Sequence, residues 1–248
     1  MNSIQYCDFA KVYDILMNDV DYNSWAEYAV KLIKKYAPDT KRIAECACGT
    51  GNLTILLKKY GYDITGFDIS RGMLEEASEK ARNNGLMIPF IQMDMTKLEL
   101  HRPCDCIIAA CDGVNYLTSQ SDVFSFFSSA YKNLKAGGAL MFDISSEYKL
   151  REILGINTFA ETQEKCSYIW KNMYDEQSKL IEMNLSFFVK ENDLYRRFDE
   201  RHIQMAHDEK DIINLLKKAG FNTAMSFNAF TMDAPNDISE RIQFVAIK

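Results

Sequence analysis

Glu45-Cys46-Ala47-Cys48-Gly49-Thr50-Gly51-Asn52 sets an acid, two close glycines and a helix start directly after the apolar run Arg42 to Ala44. Positions without a Cβ at 49 and 51 let the chain turn sharply and let a ligand approach the backbone closely. The chemistry this implies is the seating of a nucleotide-like ligand on main-chain amides. Two more acids end later apolar runs: Asp68 in Gly66-Phe67-Asp68-Ile69-Ser70 and Asp94 in Gln92-Met93-Asp94-Met95. A fourth polar segment, Cys111-Asp112-Gly113-Val114-Asn115-Tyr116-Leu117, follows the next run.

A dinucleotide fold wants a third glycine three residues after the second, and that position is Thr54. An acid at the end of the first strand suits a ligand that carries an ammonium as well as a carboxylate, and S-adenosylmethionine is such a ligand. Its methionine end would lie over Gly49 and Gly51 with Glu45 supplying the charge. Asp68 would accept both ribose hydroxyls, and Asp94 the adenine amino group, with Met95 and Ile69 or Met73 flanking the ring. Ribose recognition alone leaves NAD open, so an NAD-dependent oxidoreductase and a non-catalytic cofactor-binding module stand beside a methyl-transferring enzyme at this point.

The elements that must position these residues are legible as period and punctuation. Five apolar runs, Arg42 to Cys48, Asp63 to Ile69, Pro89 to Met93, Asp105 to Cys111 and Ala139 to Ile144, read as buried strands. Asn52 to Tyr60, Arg71 to Asn83 and Ser121 to Leu134 carry apolar residues at helical spacing, with Ser70 as a cap, Gly85 after the second helix and Gly137-Gly138 closing the third. Parallel strands with helices on both faces follow. After residue 146 the period changes to two: Tyr168 to Tyr174, Lys179 to Val189 and Leu194 to Gln204 predict a three-stranded antiparallel meander inserted in the main fold. Asp208 then opens an amphipathic helix stopped by Gly220, and strands near Thr223 to Phe230 and Arg241 to Ile247 rejoin the main sheet.

With Ala47 in the first glycine place, Glu45-x-Ala47-x-Gly49-x-Gly51 resembles the first motif of the class I S-adenosylmethionine-dependent methyltransferases. Gly66 to Ser70, Gln92 to Met95 and Leu134-Lys135-Ala136-Gly137-Gly138 extend the likeness over roughly residues 40 to 145. The resemblance implies an α/β, Rossmann-like fold with a seven-stranded, mostly parallel sheet and S-adenosyl-L-methionine as cofactor, bound by Glu45, Ala47, Cys48, Gly49, Gly51, Asp68, Ile69, Met73, Asp94, Met95 and Cys111. Tyr6-x-x-Phe9-Ala10-x-x-Tyr13-Asp14 and Asp21-Tyr22-x-x-Trp25 resemble the lid of sugar-amine and glycine-type N-methyltransferases, which makes Tyr13 and Trp25 candidates to close over the cofactor. Phe9, Tyr13 and Leu16 also form a packing stripe at helical spacing. The organisation expected is a helical lid over 1–40, a methyltransferase domain over 41–146 and 206–248, and an antiparallel cap over 147–205.

In this fold the acceptor meets the sulfonium past the fourth strand, so Asp112, Asn115 and Tyr116 are candidate substrate contacts. The segment has no proline, unlike the Asn/Asp-Pro-Pro-Tyr of enzymes that methylate nucleobases or glutamine amides. A hydroxyl acceptor needs a base, an amine does not, and His202 and His207 are the available imidazoles; His207 is taken as a further substrate contact and no catalytic residue is assigned. The pocket between Tyr116 and the meander is expected to be apolar and aromatic with few charges. The predicted activity is transfer of a methyl group to an N or O nucleophile of a small molecule.

Composition narrows the partners. With 29 basic and 35 acidic residues the net charge is −6, and no basic cluster outweighs it, which disfavours nucleic acid. No apolar run approaches the roughly 20 residues needed to cross a bilayer and Met1 to Gln5 opens no signal peptide, so a cytoplasmic chain, monomer or homodimer, is expected. Seven cysteines without a C-x-x-C pair read as reduced packing thiols, and no metal spacing is present. Cys104 and Cys106, two apart in one run, are expected to share a strand face.

Overall fold

Local capping sets where the elements begin in a computed structural model that describes residues 9, 10, 12–14, 17 and 20–248. Met1 to Gln5, Tyr6 and Leu16, used in the reading above, lie outside the described residues. Asp21 caps α1 (Tyr22–Tyr36), its carboxylate accepting from the Ser24 amide at 3.1 Å. β1 (Arg42–Cys46) leads through the glycine turn to α2 (Asn52–Lys59), then β2 (Asp63–Asp68). Ser70 caps α3 (Arg71–Asn83) by accepting from the Met73 amide at 3.3 Å. β3 (Phe90–Gln92), β4 (Cys104–Ala109), α4 (Gln120–Asn133) and β5 (Leu134–Ser145) complete the alternating part.

A π-helical turn, Lys149–Leu154, leads into four antiparallel strands: β6 (Thr158–Thr162), β7 (Cys166–Asp175), β8 (Leu180–Glu191) and β9 (Leu194–Met205). Then come α5 (Glu209–Ala219), β10 (Thr223–Asn228) and β11 (Arg241–Ile247).

The main sheet has seven strands in the order β10-β11-β5-β4-β1-β2-β3. β1 pairs in parallel with both β2 and β4, whereas β11 runs antiparallel to β5. Alternation divides the core between the two faces. Ile107, Ala109 and Phe142 pack under α4 and α5, while Ile108, Met141 and Val245 pack under α1 and α2. Phe142 stacks on Phe244 with centroids 5.0 Å apart, both at most 1% exposed. Burying each such ring contributes about 1.5–3 kcal/mol, so this sheet is a rigid platform for whatever its strand ends carry.

Three details depart from the sequence reading. Gly137 and Gly138 lie inside β5 rather than closing α4, which runs into the strand without a gap; Gly138 instead lets the backbone pass close to the Asp105 carbonyl, where an added Cβ would stand at 2.9 Å. Cys104 and Cys106 face opposite cores, and the pairing with β5 slips between them, Cys104 standing against Leu134 and Cys106 against Ala139. The meander has a fourth strand, β6, paired through Phe159↔Trp170. It is an edge strand with little buried area, so its sequence carries no alternating signal. Cys46, Cys48, Cys104, Cys106 and Cys166 are buried and free, and burial pushes their thiols up. No helix among the described residues is long and apolar enough to cross a membrane.

Candidate active site

Strand order reverses at β1, which opens a crevice beyond the carboxyl ends of β1 and β4, where ligands of open α/β sheets sit. The glycine turn lies at this point with φ of +53° at Gly49 and +74° at Gly51. The two glycines serve different ends. A Cβ on Gly49 would meet nothing within 4 Å, which leaves the turn open on that side, whereas one on Gly51 would press on Ala77 and Phe90 at 3.0 Å. Gly51 therefore serves the packing of α2 against α3, and Gly49 keeps the ligand side bare.

Ala47 adopts φ +52°, a left-handed conformation that costs an L-residue roughly 1–2 kcal/mol. Its Cβ would lie 2.8 Å from a Cβ placed on Gly113 in the segment after β4, so Ala47 is what forbids a side chain there. Gly113→Ala is expected to destabilise the fold by about 2 kcal/mol through overpacking. The double variant with Ala47→Gly should recover most of that in denaturant unfolding; equal loss in both would place the cost elsewhere.

Glu45 is 3% exposed and accepts a hydrogen bond from the Thr54 hydroxyl at 2.6 Å. Thr54 thus occupies the third glycine place of a dinucleotide turn with a side chain that holds the acid. Burial pushes the Glu45 carboxyl up to about 8, against the pull of Thr54 and with help from Asp68. Asp68 accepts from the Gly49 amide through Oδ2 and the Ser70 amide through Oδ1, each at 2.8 Å, and burial raises it too. Its carboxylate therefore shapes the turn as well as facing the crevice. Asp94 accepts from the Thr96 amide at 2.9 Å and hydroxyl at 2.7 Å, and the Gln92 amide donates to the Ile69 carbonyl at 2.9 Å, tying β3 to β2. Ile69 is exposed at the lip, Met73 is buried, and Met95 packs against the core under α4.

The front segment is held to this turn. Asp14 accepts from Thr50 at 2.7 Å and Asn52 at 2.9 Å and pairs with Lys80 of α3. Tyr13 is half-buried beside Tyr22, Cys111 and Tyr116, and desolvation above all raises its hydroxyl. Trp25 packs edge-on against Phe230 with centroids 4.7 Å apart, and the Arg241 guanidinium lies 5.3 Å from its ring centre.

Arg241 organises the segment after β4. It pairs with Asp112 at 2.8 Å and with the fully buried Asp143. Asp112, at φ +54°, donates its amide to Asp143 at 3.0 Å, and its other carboxylate oxygen accepts from Gln204 of β9 at 2.8 Å. Burial drives the Asp143 carboxyl up against the attraction of Arg241; it also opposes the charge on Arg241, which the two carboxylates hold above the usual range. Asn115, fully buried, donates to the Ser145 and Met205 carbonyls and accepts from the Ser145 amide at 2.9 Å. His207 lies 3.3 Å from the Val114 carbonyl, and Tyr116 reaches His202.

So the fold gathers Glu45, Ala47, Cys48, Gly49, Gly51, Asp68 and Cys111 at the crevice, and Asp112, Asn115, Tyr116 and His207 against the cap. Asp112, Asn115 and His207 are engaged with protein groups there. The cap's inner face carries Asn172, Glu200, His202 and Gln204 among its apolar residues, which is more polar than the pocket expected, while Arg197 and Arg201 lie outside in exposed pairs with Asp199 and Glu182. Arg241, Asp143 and Gln204 escaped sequence reasoning, and Asp14 entered it only as part of the lid-like motif. Of the first three, only Asp143 left a signal, an acid inside the apolar run Ala139 to Ile144.

A crevice at the strand reversal, a left-handed glycine turn bare above Gly49 and acids at two strand ends lie together on a Rossmann-like sheet. The chain belongs to the class I S-adenosylmethionine-dependent methyltransferases: it is a methyltransferase and S-adenosylmethionine is its cofactor. Residues 43–138 match a methyltransferase domain family. The chain is 39% identical to a putative methyltransferase of a Geobacillus species, over 98% of this chain and 99% of that one. It superposes on the crystal structure of an S-adenosylmethionine-dependent methyltransferase from Clostridium acetobutylicum with a TM-score of 0.88, at 32% identity and over 98% of each chain. It is also 28% identical to a dTDP-3-amino-3,4,6-trideoxy-alpha-D-glucopyranose N,N-dimethyltransferase of Streptomyces venezuelae, over 54% of this chain and 56% of that one.

Proposed function

We propose that this enzyme moves a methyl group to an N or O nucleophile of a small molecule held between the segment after β4 and the antiparallel cap. The observation that carries the reading is that Tyr116, at the crevice edge, touches the inner face of the cap through His202 at 3.3 Å. The similarity to a sugar-amine dimethyltransferase supports a small acceptor. In this reading residues 1–40 form a lid, 41–146 and 206–248 the cofactor domain and 147–205 the acceptor cap, in a cytoplasmic monomer or homodimer.

Bound at the turn, S-adenosylmethionine supplies an electrophilic methyl group on a sulfonium. The chain's part is to hold that group in line with an acceptor lone pair and keep water out, and positioning of this kind supplies much of the rate. Glu45 with Gly49 takes the methionine end, Asp68 the ribose, and Asp94 with Ile69, Met73 and Met95 the adenine. Tyr13 covers the crevice beside Cys111.

The raised Glu45 carboxyl makes this testable by proton count. At pH 7 the group holds its proton in the free enzyme; an ammonium placed against it favours the ionised form, so binding releases a proton. Titration calorimetry of S-adenosylhomocysteine in buffers of different ionisation enthalpy should show release of roughly half a proton or more at pH 7, falling away as pH rises past about 8 and absent in Glu45→Gln. Absence of binding would overturn the cofactor placement; binding without proton release would remove Glu45 from the ammonium.

A further inference from the structure

A second concentration of buried polar atoms lies on the cap. Register sets Asn172 of β7, Met183 of β8 and His202 of β9 side by side, with Trp170, Leu185 and Glu200 in the next row of the same face. Asn172 is 2% and His202 8% exposed, and Asn172 Oδ1, His202 Nε2 and Trp170 Nε1 have no hydrogen-bond partner among the described residues. Each such atom costs about 1–3 kcal/mol when it stays unpaired. A sheet that keeps three on one face is arranged for a ligand that pairs with them.

The rows lie between two apolar blocks. Phe9, Tyr13 and Met73 pack against Phe187 and Phe198 on one side, and Leu150 and Leu154 against Ile181 and Ala206 on the other. His202, like Gln204 through Asp112, joins this face to the segment after β4: its Nδ1 lies 3.3 Å from the Tyr116 hydroxyl, the two rings stand edge to face at 5.9 Å, and Phe9 lies against it at 5.4 Å.

We propose that His202 is the general base of this methyltransferase and that the acceptor atom is a hydroxyl oxygen, paired with Nε2. This deepens the function proposed above and rests on it. General-base action requires the tautomer with hydrogen on Nδ1, in which that nitrogen donates to the Tyr116 oxygen and Nε2 presents its lone pair. Burial holds the ring below its ordinary value, so it is neutral and able to accept at pH 7. As the carbon–oxygen bond forms and the carbon–sulfur bond breaks, the hydroxyl proton passes to Nε2. The products are a methyl ether, S-adenosylhomocysteine and an imidazolium, which carries the positive charge the sulfonium gives up. An unprotonated amine needs no such group, whereas a hydroxyl does. Asn172 and Trp170 offer one acceptor and one donor for further polar groups of the same molecule.

The test uses the full chain labelled with nitrogen-15 histidine and bound to S-adenosylhomocysteine. Only three histidines exist, so His202→Gln and His207→Gln assign the imidazoles. At pH 7 His202 should be neutral with hydrogen on Nδ1; hydrogen on Nε2 overturns the proposal, because that nitrogen then has no lone pair to give. In a second arm, methyl-labelled S-adenosylmethionine is offered a pool of phenols, sugars and polyols and a matched pool of amines. Transfer should enter the hydroxyl pool, with kcat reduced about 100-fold or more in His202→Gln and KM for S-adenosylmethionine unchanged. Transfer confined to amines, or a loss in KM alone, overturns it. Calorimetry of S-adenosylhomocysteine separates this failure from failure of the cofactor reading, which would abolish binding in the parent enzyme.

Discussion

Replacing Asp68 by alanine should weaken S-adenosylhomocysteine binding by about 100-fold or more while leaving a folded protein. The carboxylate has two sets of obligations. It holds the glycine turn by accepting from the Gly49 and Ser70 amides, and in the proposed complex it faces two ribose hydroxyls. Hydrogen bonds to a charged group contribute about 1.5–3 kcal/mol each, so losing the ribose pair alone exceeds the roughly 2.7 kcal/mol that corresponds to 100-fold. The amide contacts add to this, since Gly49 loses the partner that fixes its left-handed conformation. Asp68→Asn separates the two roles: one oxygen still accepts from an amide, but the charge and one ribose contact are gone, so its affinity should fall between parent and alanine variant. Calorimetry reads the affinity and thermal unfolding the fold. Unchanged affinity in Asp68→Ala would mean that the ribose lies elsewhere.

Arg241→Met should be among the most damaging substitutions available outside the large apolar core. The guanidinium is the cation between Asp112 and the fully buried Asp143, and its face lies against Trp25. Methionine keeps the volume and leaves two carboxylates together in a low-dielectric site. Removing one partner of a buried ion pair costs about 3–5 kcal/mol, which in a chain of this size lowers Tm by about 10 °C.

The sign with pH follows from burial. The Asp143 carboxyl is already raised by desolvation, and without Arg241 the main group opposing that shift is gone and the Asp112 amide bond remains, so the folded variant takes up protons that the unfolded chain releases above about pH 4. The stability gap between parent and variant should therefore be widest near neutrality and close as pH falls toward about 4. Adding Asp143→Asn should recover part of the loss. A pH-independent gap would mean that packing on Trp25, rather than charge, is what Arg241 provides. Asp112 shapes the segment after β4, so the same variant should also disturb Tyr116 and with it the acceptor side of the site.

How much of this was legible beforehand follows from the range of the contacts involved. Strands, helices, the glycine turn and the acids at the ends of β2 and β3 were readable from the amino acids, because each depends on residues a few positions apart: alternation, helical spacing, a capping Ser70, a left-handed Gly49. The α/β class and the cofactor followed from those local signals in combination. β6 and the facing of Cys104 were not readable, since an exposed edge and a register slip leave no periodic trace.

The site's electrostatics belong to tertiary structure. Thr54 meets Glu45 across one turn, but Asp14 joins Thr50 over 36 residues, Tyr116 joins His202 over 86, and Arg241 joins Asp143 over 98. Composition says that such charges and imidazoles exist; only burial and pairing decide which stays ionised, which stays neutral and which is left to meet a ligand. The amino-acid sequence by itself therefore determined the cofactor and the glycine turn proposed to seat it, because that turn is backbone geometry written locally. The folded sheet and its cap decided the proposed acceptor side, because that side is built from elements that meet only once the chain has closed on itself.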